Sequence, residues 1–342
     1  MRDIVDGCWQ EPGAGIPDIE IGRDWYALPG LVDSHAHLAA PIGKDWRSDS
    51  FEDAAGRARQ AVESGVLLAL DKGWSDLHTI EVIESIPDRD RPDIEAAGII
   101  NAVPDGYWPD FARELTVDNF EEGIRQSIEE GWGWVKLVGD WPRRGIGPVA
   151  NFDEGQLRSV VEMTVAAGSK VAIHTMAREA PAMAVRAGVH SIEHGLFLDE
   201  VSLDLLGSRH GMWVPTIIRM EAVVAQLGGS SSGGRLVVEG LENVRRLMPM
   251  AAEAGVHLLA GTDVTVGTHD VALEALKMVE YGLPVEAALD AVSRSGLRAT
   301  GRPSDFEVGS PANAVFFPGN PRSDISILRH PSAVVRMGHL LG

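Results

Sequence analysis

The residues of this chain best placed to do chemistry are four imidazoles, one lysine and one carboxylate. The segment SHAHL puts His35 and His37 two residues apart, so an extended backbone turns both rings to one side, where two nitrogens can chelate one ion. Taken alone, this pair fits packing or hydrogen bonding equally well. Four further residues able to ligate a metal stand at or near the ends of other apolar runs: Lys136 in WVKLV, His174 in VAIHT, His194 in SIEH and Asp263 in LAGTD. An imidazole set with a carboxylate suits Zn²⁺ and related divalent ions, whereas six hard oxygens would suit Mg²⁺ or Ca²⁺. Lysine is the odd member, because an ammonium has no lone pair to give. It has two readings: an inward charge paired with a carboxylate of the same interior, or an amine carboxylated by CO₂, whose two anionic oxygens bridge two metal ions.

These residues meet only if a scaffold gathers the runs that carry them. Eight runs rich in Val, Ile and Leu can be counted, at 28–33, 65–71, 93–100, 133–139, 170–175, 189–194, 212–217 and 256–263. Helix-length amphipathic stretches lie between them, as in 51–65, 152–168 and 177–188. That alternation predicts a parallel sheet of βα units, and eight strands close a (β/α)₈ TIM barrel, whose active sites form at the carboxyl ends of the strands. His174 and His194 lie 20 residues apart, close to one repeat, so neighbouring strands would present them at equal height. Gly65, Gly168, Gly188 and Gly255 stand where left-handed caps would end helices. The other histidines serve as controls. His190 reads as a packed or hydrogen-bonded core residue near the barrel floor, and His78, His210, His257, His330 and His339 read as solvated or structural.

A barrel takes roughly 250 residues, and the chain has 342. Residues 29–302 are assigned to the barrel, while 1–28 and 303–342, short, alternating and rich in Gly and Pro, are assigned to a small β-sandwich formed from both termini. The segment GGSSSGG (228–234) is flexible by composition and reads as a lid or as a plain connection. Beyond the strand ends lie Tyr107, Trp108, Trp141, Arg143, Arg144 and Arg219, with His269 in the loop after strand eight. An Arg can clamp a substrate carboxylate and aromatics can cover an apolar group; solvated Arg and structural Trp are the plain alternatives.

The formal charge of -20 repels phosphate backbones and anionic lipid, which argues against nucleic-acid and membrane partners; the partner expected is a small-molecule substrate. The start lacks the pattern of a secretory signal, no run offers a membrane span, and the lone Cys8 cannot form an internal disulfide, so a cytoplasmic protein is expected. Homo-oligomerisation stays open.

PGLVDSHAHL, the lysine in WVKLV, AGVHSIEHGLFLDEVSLDLL followed by MWVPT, AGTDV and the closing GSPANAVFFPGNPRSDISILRHPSAVVRMGHL resemble, in order and spacing, the landmarks of the amidohydrolase superfamily in its binuclear subtype. SIEHG with FLDE and VPT is most similar to the prolidase-like and imidazolonepropionase-like branch, and the lysine favours the former. The resemblance implies that His35, His37 and Asp263 bind the more buried ion, that His174 and His194 bind the more exposed one, and that carboxylated Lys136 bridges both. Departures are HTM after strand five in place of His-Ala-His, a short N-terminal sandwich segment, and VGDWPRRG after the lysine. The expected activity is hydrolysis of an amide or peptide-like C–N bond, with Asp263 as general base and then general acid. Lactone or phosphoester hydrolysis at the same site, and a non-catalytic binding or assembly protein, are the rivals.

Overall fold

A computed structural model describes residues 2–13, 25–40, 50–264 and 270–341. Eight parallel strands, Leu31–Ala36, Val66–Asp71, Asp93–Ala97, Gly133–Val138, Lys170–Thr175, Ser191–His194, Met212–Val214 and His257–Leu258, lie side by side in chain order. Each overlaps one of the eight runs. Backbone bonds from Ser34 N to Ala260 O (2.9 Å) and from Asp263 N to His35 O (2.7 Å) join the continuation of the eighth strand to the first and close the barrel. Its interior is filled by Val32, Leu68, Leu70, Ala97, Trp134, Ala172, Met212, Val214 and Leu259. Every residue of the first two strands is buried, because parallel strands are covered by helices outside and by side chains within.

The outer helices start and stop on local chemistry. Phe51–Glu63, Glu154–Ala166 and Glu200–Ser208 are capped by Ser50, Asp153 and Asp199, whose side chains accept the Asp53, Gln156 and Ser202 amides; each such cap is worth ~1 kcal/mol. At the other ends Gly65, Gly168, Gly188 and Gly255 take φ of +87°, +75°, +95° and +83°, the left-handed region read from sequence. The seventh strand stops at Val214, short of the predicted 217. Pro215 has no N–H for the ladder, Thr216 takes φ +47°, and the helix Ile217–Leu227 follows at once.

GGSSSGG forms a corner between two helices. Gly228 ends Ile217–Leu227, Ser231 accepts the Gly234 amide, and Ser232–Glu253 begins within the segment. The serine that composition counts as flexible acts here as a helix cap.

Both termini feed one four-stranded antiparallel sheet, in which Tyr26–Leu28 pairs with Ala314–Phe317, followed by Ala333–Arg336 and His339–Leu341. On one face Leu28, Val315 and Phe317 join the main core. On the other the hairpin Asp3–Val5 and Cys8–Gln10 brings Trp9 against Ala312, Ala314 and Val335, with its ring 5.2 Å from that of Phe306. Among the described residues no helix is long and apolar enough to cross a membrane.

Candidate active site

Strand register decides which residues look inward. Ala172 lies opposite Lys136 and Ser191, and His174 lies opposite Glu193. In parallel strands paired residues share a face, so Lys136, His174 and Glu193 share the interior. His194, one residue past Glu193, would face outward in a regular strand. Its φ of +62° breaks the alternation and brings the ring back to the site, and Asp263 has the same left-handed backbone at φ +54°. Such residues cost on the order of 1 kcal/mol or more each and gather at functional sites. Gly261 permits close contact between the eighth and first strands: a Cβ there would sit 2.6 Å from His35 Cβ and 2.8 Å from His35 N.

His35 Nε2 and His37 Nε2 are 3.2 Å apart. Asp263 Oδ1 lies 3.5 Å from His37 Nε2 and 4.0 Å from His35 Nε2, and Oδ2 lies 4.0 Å from His194 Nε2. The His194 ring is 5.3 Å from that of His35 and 4.6 Å from that of His174. Lys136 is buried below them, and its Nζ has no hydrogen-bond partner among the described residues.

Three neighbours set the ring tautomers. His35 Nδ1 lies 2.6 Å from Glu193 Oε2, a contact at which the ring nitrogen carries the proton. His37 Nδ1 donates to Gly73 O at 2.6 Å. Thr216 Oγ1 donates to Pro215 O (2.8 Å) and so accepts from His194 Nδ1 (2.6 Å). The Nε2 atoms of His37 and His194 therefore present lone pairs to the centre, and His35 Nε2 faces the same point.

Charge follows the same logic. Burial, with His35 next to it, pushes His37 down to about 3, and burial with the Lys136 charge does the same to His174. Burial likewise lowers His194. Burial would raise Asp263, but His35, Arg219 and the other imidazoles outweigh it and hold the carboxyl well below the ordinary range. Burial, seconded by the charge of Lys72, lowers Lys136 to about 8. Neutral imidazoles, a carboxylate and an amine near its neutral form make a donor set that fits divalent cations.

A pH dependence follows for the metal-free protein. Unfolded imidazoles protonate below about 6.5, whereas His37 and His174 stay neutral in the fold down to about 3. The unfolded state therefore binds more protons across that window, and stability falls as pH drops through it. Chelator-treated protein should hold its Tm above about pH 7 and lose it progressively toward about pH 4. A Tm unchanged across that range would contradict neutral rings.

The supporting groups went unread in the sequence. Asp33 Oδ1 accepts from His35 N (3.2 Å) and Thr262 N (3.1 Å), and its Oδ2 accepts from Thr262 Oγ1 (2.6 Å), tying the first strand to the eighth. Asp71 accepts from Leu38 N (2.6 Å) and Gly73 N (2.8 Å), fixing the carbonyl that holds His37. Glu193 and Lys72 lie deeper, and both are buried. Glu193 is a charge inside an apolar run, which was the available signal, whereas Lys72 falls just past the end of one. His190, as expected, is a structural residue: its Nδ1 accepts from Val171 N at 3.1 Å.

Beside the cluster stands an aromatic wall. Tyr107 packs on Trp141 (ring centres 4.5 Å), Trp108 (4.7 Å) and Phe111 (5.5 Å), while Trp141 lies 6.0 Å from the His174 ring and Trp74 lies 5.3 Å from the His37 ring. Trp74 and Phe111 were not singled out by sequence. Arg219 Nε lies 3.9 Å from Asp263 Oδ2. Arg143 donates to Asp105 O (2.7 Å) and Asn151 Oδ1 (3.0 Å), fastening the hairpin Asp140–Arg143 and Gly147–Ala150 to the Tyr107 loop. Arg144 is exposed in the turn of that hairpin, and His269 lies outside the described residues.

A family model described as the amidohydrolase family matches residues 26–341. An uncharacterized protein of Mycobacterium tuberculosis is 31% identical over 355 residues, covering 99% of this chain and 91% of the relative. The ochratoxinase of Aspergillus niger is 27% identical over 361 residues, covering 98% of this chain and 70% of that one. Among solved structures, a Xaa-Pro dipeptidase with methionine bound in its active site superposes with a TM-score of 0.77 at 26% identity, over 93% of this chain and 87% of that one.

Proposed function

The chain belongs to the amidohydrolase family, in its prolidase-like branch, and from that premise we propose that it hydrolyses the C–N bond of an N-acyl amino acid, dipeptide or cyclic amide at two divalent ions, Zn²⁺ by preference. His35, His37, Lys136, His174, His194 and Asp263 are the proposed ligands. The observation that carries this reading is the pair of Nε2 nitrogens 3.2 Å apart with a carboxylate oxygen 3.5 Å from one of them. When bound, divalent ions supply Lewis acidity, which lowers the pKa of water and polarises a carbonyl.

Asp263 takes the proton of the attacking water at a carboxylate oxygen and returns it to the leaving amine nitrogen. Its neighbours keep it ionised, and the Val264 amide donating to Oδ1 at 2.6 Å holds its orientation. Lys136 is assigned the carbamate. The neutral amine attacks CO₂, a bond forms from Nζ to carbon, and one N–H proton leaves to water, so that the amine becomes a carbamate whose single negative charge is shared by two oxygens, which would serve as ligands to divalent ions. The pairing alternative is disfavoured because Lys72 stands within ion-pair distance of Glu193 (Oε1, 3.5 Å), while among the described residues no ion pair involves Lys136.

Tyr107, Trp108 and Trp141 are assigned to an apolar group of the substrate, and Arg219 to its carboxylate. Arg143 and Arg144 are assigned to the rim and His269 to the loop after strand eight. Residues 29–302 form the proposed catalytic unit, with 1–28 and 303–342 as the terminal one. A panel of N-acyl amino acids, Xaa-Pro dipeptides, cyclic amides, lactones and phosphotriesters tests the assignment. The highest kcat/KM should fall on a C–N substrate with a bulky apolar group and a free carboxylate; turnover confined to lactones or phosphotriesters would overturn it.

A further inference from the structure

Beneath the proposed ligands, the barrel axis holds a column of alternating charges. Lys72 is fully buried, with Nζ 3.5 Å from Glu193 Oε1 and 4.0 Å from the centre of the Trp134 ring. Trp134 donates through Nε1 to Glu95 Oε2 at 2.8 Å, and Lys170 stands 5.4 Å from the same ring and 3.5 Å from Glu95 Oε2. Glu193 Oε1 also accepts from Ser191 Oγ at 2.6 Å, leaving Oε2 for His35 Nδ1. Glu193 thus sits between a cation below and an imidazole above.

We propose that Lys72 is a positioning residue of this site: its ammonium, seated on Trp134, anchors the Glu193 carboxylate so that His35 is held with Nε2 toward Asp263. The proposal rests on the metal-centre reading above. Three observations carry it. Glu193 has no solvent to stabilise it, and a buried carboxylate stripped of its cation is strongly unfavourable. The His35 ring has its Nδ1 contact on this carboxylate alone among the described ion pairs. Lys72, one residue past the second strand, reaches Glu193 in the sixth, so the pair ties these two strands together beneath the ligands. Groups that orient a ligand through its far nitrogen change affinity ~10–100-fold when removed.

The test is equilibrium competition for Zn²⁺ against a chromogenic chelator, with folding checked by circular dichroism. Lys72→Met and Glu193→Gln should each weaken the tighter site ~10–100-fold. The double variant should be no weaker than the worse single one, because both break one arrangement. Packing alone would lower the Tm of Lys72→Met and leave its affinity intact. If Lys72→Met fails to fold, the neutral double variant takes its place, and its affinity should match that of Glu193→Gln. Wild-type affinity in folded Lys72→Met, or losses that multiply in the double variant, would overturn the proposal. A wild-type protein that binds no Zn²⁺ would bring down the metal-centre reading itself, and this inference with it.

Discussion

Asp263→Asn is expected to fold, to keep much of its metal, and to lose ~10²–10⁴-fold in kcat, the usual effect of removing a positioned acid-base group. Asn is nearly isosteric and is among the residues that tolerate a left-handed backbone, so the φ of +54° at this position is preserved. Its carbonyl can still take the Val264 amide and offer one oxygen to an ion. What it lacks is the ability to accept a proton, and one group here serves both proton transfers. The Arg219 guanidinium 3.9 Å away would lose its anionic neighbour, so KM for carboxylate substrates should fall or stay level while kcat drops. A metal-replete variant within ~3-fold of wild-type kcat, against that expectation, would show that the proton-transfer role is wrong.

Lys136→Ala should lose most of its metal, and activity by more than the ~10²-fold that removal of an outer-shell partner costs. Formate, acetate or propionate should restore part of both, because a short carboxylic acid fills the space of the missing carbamate. Stability should move differently from activity. Lys136 Nζ is buried with no hydrogen-bond partner among the described residues, so deleting it removes an unsatisfied amine as well as packing, and metal-free Lys136→Ala should unfold close to the metal-free wild type. Undiminished metal content in the variant, prepared without added acid, would contradict the assignment.

Local signals account for what the sequence disclosed. The eight strands were legible because each buries a Val, Ile or Leu run, and their ends because Gly65, Gly168, Gly188 and Gly255 mark places where only a left-handed residue fits. The six proposed ligands were legible because charged or imidazole side chains recur at the ends of those runs. Three kinds of feature stayed hidden. Glu193, read through simple alternation, points away from His194, and nothing local announces that a φ of +62° brings both to the same interior. Lys72 looks like the first residue of a loop until Glu193 and Trp134, from distant strands, are seen to enclose it. Arg143 looks like a free clamp until the carbonyl of Asp105 is found to hold it.

The central claim is that amide hydrolysis here depends on two divalent ions held by these six residues. The most direct measurement is kcat on the best C–N substrate as chelator-treated wild type is titrated with Zn²⁺, with bound metal counted in the same samples. Activity should be absent without metal, rise with added Zn²⁺, and saturate at two ions per chain. Full activity in metal-free protein, or saturation with the proposed ligand residues empty, would contradict it.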